Sequence, residues 1–162
     1  MNPAVLSGNT SFLVTFIASF LIWFMFAGLL FLWIIDGRIK KERALHAFFA
    51  SLIAWLLSQV IKNLIPTLRP FEINGSMPMT LTIPFDSSFP SGHSASAFAL
   101  ATSIWLHKKK EGLFFIICAV LVGWGRILGN VHYLRDVLAG VAVGITVAYI
   151  VEKVHFFKLL KK

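Results

Sequence analysis

The sequence holds a single cysteine, Cys118, so it cannot form an intramolecular disulfide. Acidic residues are also scarce: seven Asp and Glu stand against fifteen Lys and Arg, which gives a formal charge of +8. Polar stretches long enough to make a soluble surface are missing, because 57% of the residues are hydrophobic and only 14% are charged. These absences exclude a disulfide-stapled secreted domain and an ordinary soluble domain.

The hydrophobic residues instead form long blocks, and this pattern predicts membrane-spanning helices. We expect an all-α integral membrane protein with a single membrane domain, residues 1–162, built as a compact bundle of about five transmembrane helices. The predicted spans are residues 12–35, 44–61, 91–106, 113–128 and 137–151. The last three are near or below the usual lower limit of about 17 residues.

Lysine and arginine in short loops favour the cytoplasmic side of a membrane. Eleven of the fifteen basic residues lie in connections that five spans put on one side: Arg38, Lys40, Lys41, Arg43, Lys108, Lys109, Lys110, Lys153, Lys158, Lys161 and Lys162. We therefore expect the N-terminus outside and the C-terminus inside. The remaining four then face the outside: Lys62, Arg69, Arg126 and Arg135. Basic residues on the side that the rule disfavours indicate that an anion binds there.

Residues 63–89 form a long connection on the predicted outer side, and five of the six prolines lie between residues 65 and 90. Proline at this density disfavours a regular helix, and irregular backbone must lie outside the hydrocarbon or be covered by protein. We interpret this segment as an outer loop that caps a site, and a disordered connector is the alternative. Its apolar side chains favour packing against the helices or against a lipid tail.

Three sequence segments with polar residues lie on this predicted outer side, and each is called a polar group below: KNLIPTLRP at residues 62–70, PSGH at residues 90–93 and GRILGNVHYLRD at residues 125–136. Four positions separate His132 from Asp136, so a helical segment there would let the carboxylate accept a hydrogen bond from the ring. In the second group, proline suits the start of a helix and serine suits its cap. The unpaired N–H groups of such a first turn form a natural anion site.

The order K-x6-R-P, P-S-G-H and R-x5-H-x3-D resembles the signature of the type 2 phosphatidic acid phosphatase superfamily of membrane lipid phosphatases. The resemblance runs from Lys62 to Asp136. Gly125 departs from the pattern because the family often has serine there, and Leu134 stands where proline is frequent. Loss of one hydrogen bond to a charged group costs about 1.5 to 3 kcal/mol unless water or a backbone amide replaces it. The departure at Gly125 therefore bears on substrate preference.

The resemblance implies a role for each polar residue. His132 is the expected nucleophile and forms a phosphohistidine, Asp136 holds its ring, and His93 protonates the leaving group and then activates water. The expected phosphate-binding residues are Lys62, Arg69, Ser91, Gly92 and Arg126. We expect no metal site and no cofactor, because metal-ligand spacing of His, Asp and Glu is missing apart from His132 and Asp136.

Other polar residues are interpreted without a catalytic role. Three histidines are expected to be ordinary polar residues: His46, His107 and His155. Glu72 and Asp86 are expected to be solvated loop charges, and Arg135 either an interface anchor or a secondary phosphate contact. Gly140 and Gly144 are expected to pack within the bundle, with dimerisation as the alternative. The basic residues are scattered over loops, which argues against a nucleic-acid partner.

The leading hypothesis from the resemblance is a metal-independent phosphatase that acts at the outer face of a bacterial-type inner membrane. Its substrate is a lipid phosphate or diphosphate, with undecaprenyl diphosphate favoured; phosphatidylglycerophosphate, phosphatidic acid, lipid A phosphate and transfer to another acceptor stay open. The alternative of another class is a non-catalytic protein that binds or transports a lipid phosphate. Such a transporter is expected to carry charges along a path across the bilayer, and the predicted span centres lack them. The oligomeric state is left open.

Overall fold

The computed structural model describes residues 12–34, 37 and 39–154. These ranges contain helices and no strand, which confirms the all-α class for this part of the chain. The helices are α1 Phe12–Ser19, α2 Leu21–Ile34, α3 Lys41–Leu64, α4 Pro70–Asn74, α5 Gly92–His107, α6 Lys109–Leu128 and α7 Leu134–Val154. Residue 35 of the first predicted span, His155 and both termini lie outside the described residues.

A helix stands at each predicted span, but not every helix has the length that a span requires. By length and composition, α3, α6 and α7 are long and apolar enough to cross a membrane, with 24, 20 and 21 residues. α1 and α2 together form a fourth candidate that is bent by 51°. α5 has 16 residues, which is below the usual limit of about 17. The count of five spans and the orientation of the termini therefore stay predictions.

α5 is built from small residues and packs against α3, α6 and α7. The side chains of Ala95, Ala97 and Ala99 are completely buried. Ser96 is joined to Ser51 of α3 by a hydrogen bond of 2.6 Å between their hydroxyl oxygens. Small side chains allow close approach between membrane helices, where van der Waals packing drives association. The small residues that follow the PSGH sequence therefore let α5 pack closely within the bundle.

Gly140 and Gly144 lie on the face of α7 that contacts α5. A Cβ atom on Gly140 would come within 2.5 Å of the carbonyl oxygen of Ser91. A Cβ atom on Gly144 would come within 2.4 Å of the carbonyl oxygen of Ala95. The predicted packing role of these glycines within the bundle is therefore confirmed, and it fixes the start of α7 beside the start of α5.

Large apolar side chains cover the outward faces of the long helices. Trp23 and Phe31 of α2, and Phe114 and Trp124 of α6, each have more than half of their surface exposed. Water would disfavour such a surface, whereas the acyl chains of a bilayer match it. Together with the candidate spans, this surface is that of a multi-pass membrane protein.

The long segment between α3 and α5 is hydrogen-bonded to the loop between α6 and α7. The N–H of Phe71 donates to the carbonyl of Asn130 at 3.2 Å, and the N–H of Met79 donates to the carbonyl of Gly129 at 2.9 Å. The segment also contains α4, a short helix absent from our prediction. Pro70 suits its first position, where no N–H is needed. These contacts favour the interpretation of a cap over that of a disordered connector.

Candidate active site

His132 lies in the loop that joins α6 to α7, not in a helix. The carbonyl oxygen of Arg126 accepts from the N–H groups of both Val131 and His132, each at 3.3 Å. α7 begins only at Leu134, because the Asp136 carboxylate accepts from the N–H of Tyr133 at 2.9 Å and so caps the helix. His132 therefore precedes α7 and Asp136 lies in its first turn, so the two residues meet at the start of the helix and do not share one helix face.

Asp136 is completely buried and lies beside the ring of His132. Its Oδ2 atom is 3.6 Å from Nδ1 of His132. The hydroxyl of Ser88, which is also completely buried, donates to the same Oδ2 at 2.6 Å and lies 3.5 Å from Nδ1. Ser88 was missing from the predicted site. Its position two residues before Pro90 places it next to the PSGH sequence, but this position alone does not indicate that it contacts Asp136.

Arg69 contacts the opposite side of the His132 ring. Its Nη1 atom lies 3.3 Å from Nε2 of His132. Arginine can only donate, so this contact requires a lone pair on Nε2 and assigns the ring proton to Nδ1, which faces Asp136. Burial lowers the pKa of His132 to about 3; the hydrogen bond with Asp136 opposes this shift, and Arg126, Arg69 and Lys62 add to it. The ring is therefore neutral at physiological pH, with its lone pair on Nε2 facing Arg69.

The two cations of the first polar group converge on Asp86. The Nζ atom of Lys62 lies 3.1 Å from Oδ2 of Asp86, and Nη2 of Arg69 lies 2.7 Å from Oδ1. The carbonyl oxygen of Ser87 accepts from both cations. Both cationic side chains are almost completely buried, whereas the carboxylate is 45% exposed. The interpretation of Asp86 as a solvated loop charge was therefore wrong, because the carboxylate forms ion pairs with Lys62 and Arg69. The sequence did not reveal these pairs, since both partners are far away along the chain.

Arg126 is buried in the last turn of α6, next to the bend of the first candidate span. Its Nη1 donates to the carbonyl of Ala18 at 3.0 Å. Its Nε has no hydrogen-bond partner within the described part of the chain. A Cβ atom on the neighbouring Gly125 would lie 2.7 Å from Ile17 and 3.0 Å from the backbone nitrogen of Ala18. The close approach of α1 gives a physical reason for glycine where the family often has serine.

The PSGH sequence starts α5 as predicted. Ser91 is the N-cap, and its hydroxyl oxygen accepts from the N–H of Ser94 at 3.4 Å. The N–H of Ser91 donates to the carbonyl of Asp136 at 2.9 Å, which joins the second polar group to the third. A Cβ atom on Gly92 would lie 3.3 to 3.4 Å from the side chains of Trp55 and Gln59, so the start of α5 packs closely against α3.

Not all eight predicted site residues are joined directly. Lys62, Arg69, His132 and Asp136 form one connected group with Asp86 and Ser88. His93 is partly buried and interacts electrostatically with Arg126 and His132. Ser91 joins the group through its backbone, and Gly92 packs beside Trp55 of α3. Residues 12–34, 37 and 39–154 contain no cluster of three or more His, Cys, Asp or Glu able to hold a metal ion.

A buried histidine with a carboxylate partner and three cations, at one end of a membrane helix bundle, defines a phosphoryl-transfer class of membrane protein. The family model of the PAP2 superfamily matches residues 43–159. The chain belongs to the PAP2 superfamily, and the resemblance drawn from the three motifs is confirmed.

Three curated relatives show the range of names within this family. The bacitracin transport permease protein BcrC of Bacillus licheniformis is 30% identical over 85% of this chain and 68% of its own length. A lipid A 1-phosphatase of Rhizobium johnstonii is 33% identical over 61% of this chain and 42% of its own. The undecaprenyl-diphosphatase BcrC of Bacillus subtilis is 25% identical over 75% and 63%. The chain thus spans about two fifths to two thirds of the length of these relatives.

The fold is also similar to a solved structure. The crystal structure of LpxE from Aquifex aeolicus superposes with a TM-score of 0.71 and 26% sequence identity. The match covers 91% of this chain and 86% of LpxE, so it extends well beyond the candidate site.

Proposed function

We propose that this chain is a lipid phosphatase that hydrolyses a lipid phosphate or diphosphate through a phosphohistidine at His132. The observation that carries the proposal is the orientation of the His132 ring. Arg69 lies on the Nε2 side and Asp136 on the Nδ1 side, at 3.3 Å and 3.6 Å. A neutral ring held in this way offers one nucleophilic nitrogen, and the Asp136 carboxylate stabilises the positive charge that develops on the ring when that nitrogen reacts.

The reaction takes two steps. In the first, Nε2 of His132 forms a bond to phosphorus, the bond from phosphorus to the lipid-side oxygen breaks, and His93 gives that oxygen a proton. In the second, water attacks the phosphohistidine, His93 accepts a proton from the water, and inorganic phosphate leaves with Nε2 regaining its lone pair. Lys62, Arg69 and Arg126 balance the charge on the phosphate oxygens throughout. All the groups that these steps need are protein side chains and water.

A lipid substrate fits the apolar groove beside the site. This groove of about 790 Å³ lies between α2 and α3 and is lined by aromatic and aliphatic side chains such as Trp23, Phe26 and Phe48. His93 also lines it. The tail of an amphiphile therefore has an apolar surface that leads to the proposed general acid, while its head group reaches the cations.

Undecaprenyl diphosphate is the favoured substrate. One relative named above is an undecaprenyl-diphosphatase, and a second relative from Sulfolobus acidocaldarius carries the same name at 32% identity. Lipid A phosphate is the next candidate, because another relative is named a lipid A 1-phosphatase. Phosphatidylglycerophosphate and phosphatidic acid are the other candidate substrates. Transfer of the phosphate to an acceptor other than water is the alternative reaction.

We further propose five spans across the cell inner membrane, with the site on the outer face. The distribution of basic residues supports this orientation. A single cysteine at position 77, introduced as Met77→Cys in a Cys118→Ser background, should react with a membrane-impermeant maleimide in intact cells. Lys110→Cys, at the opposite end of the bundle, should react only after permeabilisation. The reverse labelling pattern would show that the site faces the cytoplasm and would refute this orientation.

Transport or simple binding of a lipid phosphate is the second candidate, because one relative is named a transport permease. A path for a charged head group across the bilayer needs polar groups along the spans. Lys62, Arg69 and Arg126 instead gather at one end of the bundle together with His132. Binding of the lipid without release of phosphate would favour this candidate over the phosphatase.

The test is phosphate release by the purified, detergent-solubilised chain in excess EDTA. The substrates are undecaprenyl diphosphate, lipid A, phosphatidylglycerophosphate and phosphatidic acid. We expect release from at least one of them and its loss in His132→Ala. The matched control is His107→Ala, which removes a histidine from the other end of the bundle and should keep activity. No release from any lipid, or equal release by His132→Ala, would refute the proposal.

A further inference from the structure

Asp86 lies between the solvent and the two buried cations of the first polar group. Each carboxylate oxygen contacts one cation: Oδ1 is 2.7 Å from Arg69 and Oδ2 is 3.1 Å from Lys62. Its side chain is 45% exposed, whereas theirs are 2% and 3% exposed. Any anion that reaches these cations from the outside therefore meets a carboxylate already bound to them.

All five N–H groups of Arg69 have a partner. Its Nε donates to the carbonyl of Asp86 at 2.9 Å, and Nη1 donates to the carbonyl of Val131 at 2.8 Å. Nη2 donates to the Asp86 carboxylate at 2.7 Å and to the carbonyl of Ser87 at 3.2 Å. The remaining N–H, on Nη1, points to Nε2 of His132. An arginine has five such donors, so a bidentate phosphate must replace existing contacts, and the carboxylate is the one that carries charge.

The carboxylate is ionised at neutral pH. Burial raises the pKa of Asp86, but its interactions with Lys62 and Arg69 outweigh that effect and leave the pKa below its usual value. Two carboxylate oxygens on two cations reproduce the contacts that two oxygens of a bound phosphate would make. The site therefore carries its own anion when no substrate is present.

We propose that Asp86 is a built-in counter-anion that competes with phosphate for Lys62 and Arg69 and so sets a weak affinity for free inorganic phosphate. The inference rests on the proposed function in one respect: it takes these two cations as phosphate ligands. A lipid substrate recovers the cost of displacing the carboxylate through its tail in the groove between α2 and α3. Inorganic phosphate has no tail, so Asp86 favours the amphiphilic substrate over the product and lets the product leave.

The experiment is direct binding of inorganic phosphate to the purified full-length chain in detergent, at constant ionic strength. Ligand that binds only the folded state raises the unfolding temperature, so a phosphate titration gives the apparent dissociation constant. We expect Asp86→Asn to bind phosphate about tenfold more tightly than the wild type, because the competing charge is gone. An unchanged or weaker affinity would overturn the proposal.

The matched control is Glu72→Gln, which removes the same charge from the same outer segment. The Glu72 carboxylate accepts from the backbone N–H of Arg69 at 2.6 Å and caps α4. The wild-type affinity is expected for this variant. A tenfold gain here as well would show a general charge effect and refute competition by Asp86.

A second variant, Asp86→Ser, makes the same charge change with a smaller side chain and should gain affinity in the same way. Failure of both Asp86 variants to fold would mean that the carboxylate is needed to hold the cations together, which also overturns the proposal. Binding needs no turnover, so the two proposals fail separately. A chain that binds phosphate but releases none from any lipid refutes the phosphatase, whereas lipid hydrolysis with unchanged phosphate affinity in Asp86→Asn refutes the counter-anion alone.

Discussion

Replacement of Gly125 by serine tests the contact between α1 and α6. A Cβ atom at this position would lie 2.7 Å from Cγ2 of Ile17, 3.0 Å from the nitrogen of Ala18 and 3.2 Å from its Cα. The isoleucine side chain can turn away, but the backbone of Ala18 cannot move unless α1 moves with it. Such a shift also weakens the hydrogen bond of 3.0 Å from Arg126 to the carbonyl of Ala18.

Overpacking of this kind costs about 1 to 3 kcal/mol. For a chain of this length, we expect Gly125→Ser to lower the unfolding temperature by about 2 to 12 °C. The assay is thermal unfolding in detergent, followed by tryptophan fluorescence. The result matters for substrate selection as well, since serine is the residue that the family often has at this position.

Gly28→Ser is the matched control for Gly125→Ser. It makes the same change in a helix, where replacement of glycine by itself favours the helical state. A Cβ atom on Gly28 would lie 3.3 Å from the ring edge of Phe115, which is a side chain and able to give way. We expect little loss of stability. An unfolding temperature of Gly125→Ser that equals or exceeds that of this control would refute the close approach of α1.

Three further predictions concern single residues. Ser88→Ala should lower kcat about 10- to 100-fold with little change in KM, because Asp136 loses a hydrogen bond worth about 1.5 to 3 kcal/mol. Ser88→Thr keeps the hydroxyl and should restore much of the activity. An unchanged kcat in Ser88→Ala would contradict this role. The pKa of His132 falls from 6.5 to about 3 on folding, so the stability that its neutral ring contributes is present above pH 6.5 and is lost as the pH falls toward 3. Denaturation measured over that range should show a steeper decline in the wild type than in His132→Asn, and equal declines would refute the buried neutral ring. Glu152→Gln should lower the free energy of unfolding by about 0.2 to 1 kcal/mol, because the carboxylate lies 2.9 Å from His107 and 3.6 Å from His46, and phosphate release should be unaffected.

The sequence was most informative where a pattern is local. Long apolar blocks predicted the main helices, and the spacing of Gly140 and Gly144 predicted their packing face, because both depend on neighbours within one helix. The cap formed by Ser91 follows from the same kind of local rule. A break within the first predicted span was not foreseen, since no proline marks the bend of 51°.

Residues that act through distant partners could not be found in this way. Asp86 is one charge in a loop until the fold brings it to Lys62 and Arg69, and Ser88 is one of several serines until it meets Asp136. Neither contact has a fixed spacing, because the connecting backbone is irregular. The three motifs predict a shared site, but they do not indicate which groups orient its side chains.

The backbone of Arg126 affects how mutations in this region should be interpreted. Its carbonyl oxygen accepts from Val131 and His132 at 3.3 Å, and every amino acid at position 126 supplies the same carbonyl. Arg126→Ala therefore removes the guanidinium but keeps the anchor of the loop that carries His132, the proposed nucleophile. Insertion of one residue between positions 127 and 130 does the opposite: it preserves every side chain of the site but shifts the anchor out of register. The length of this loop therefore determines the position of His132 as much as the residues within the loop do.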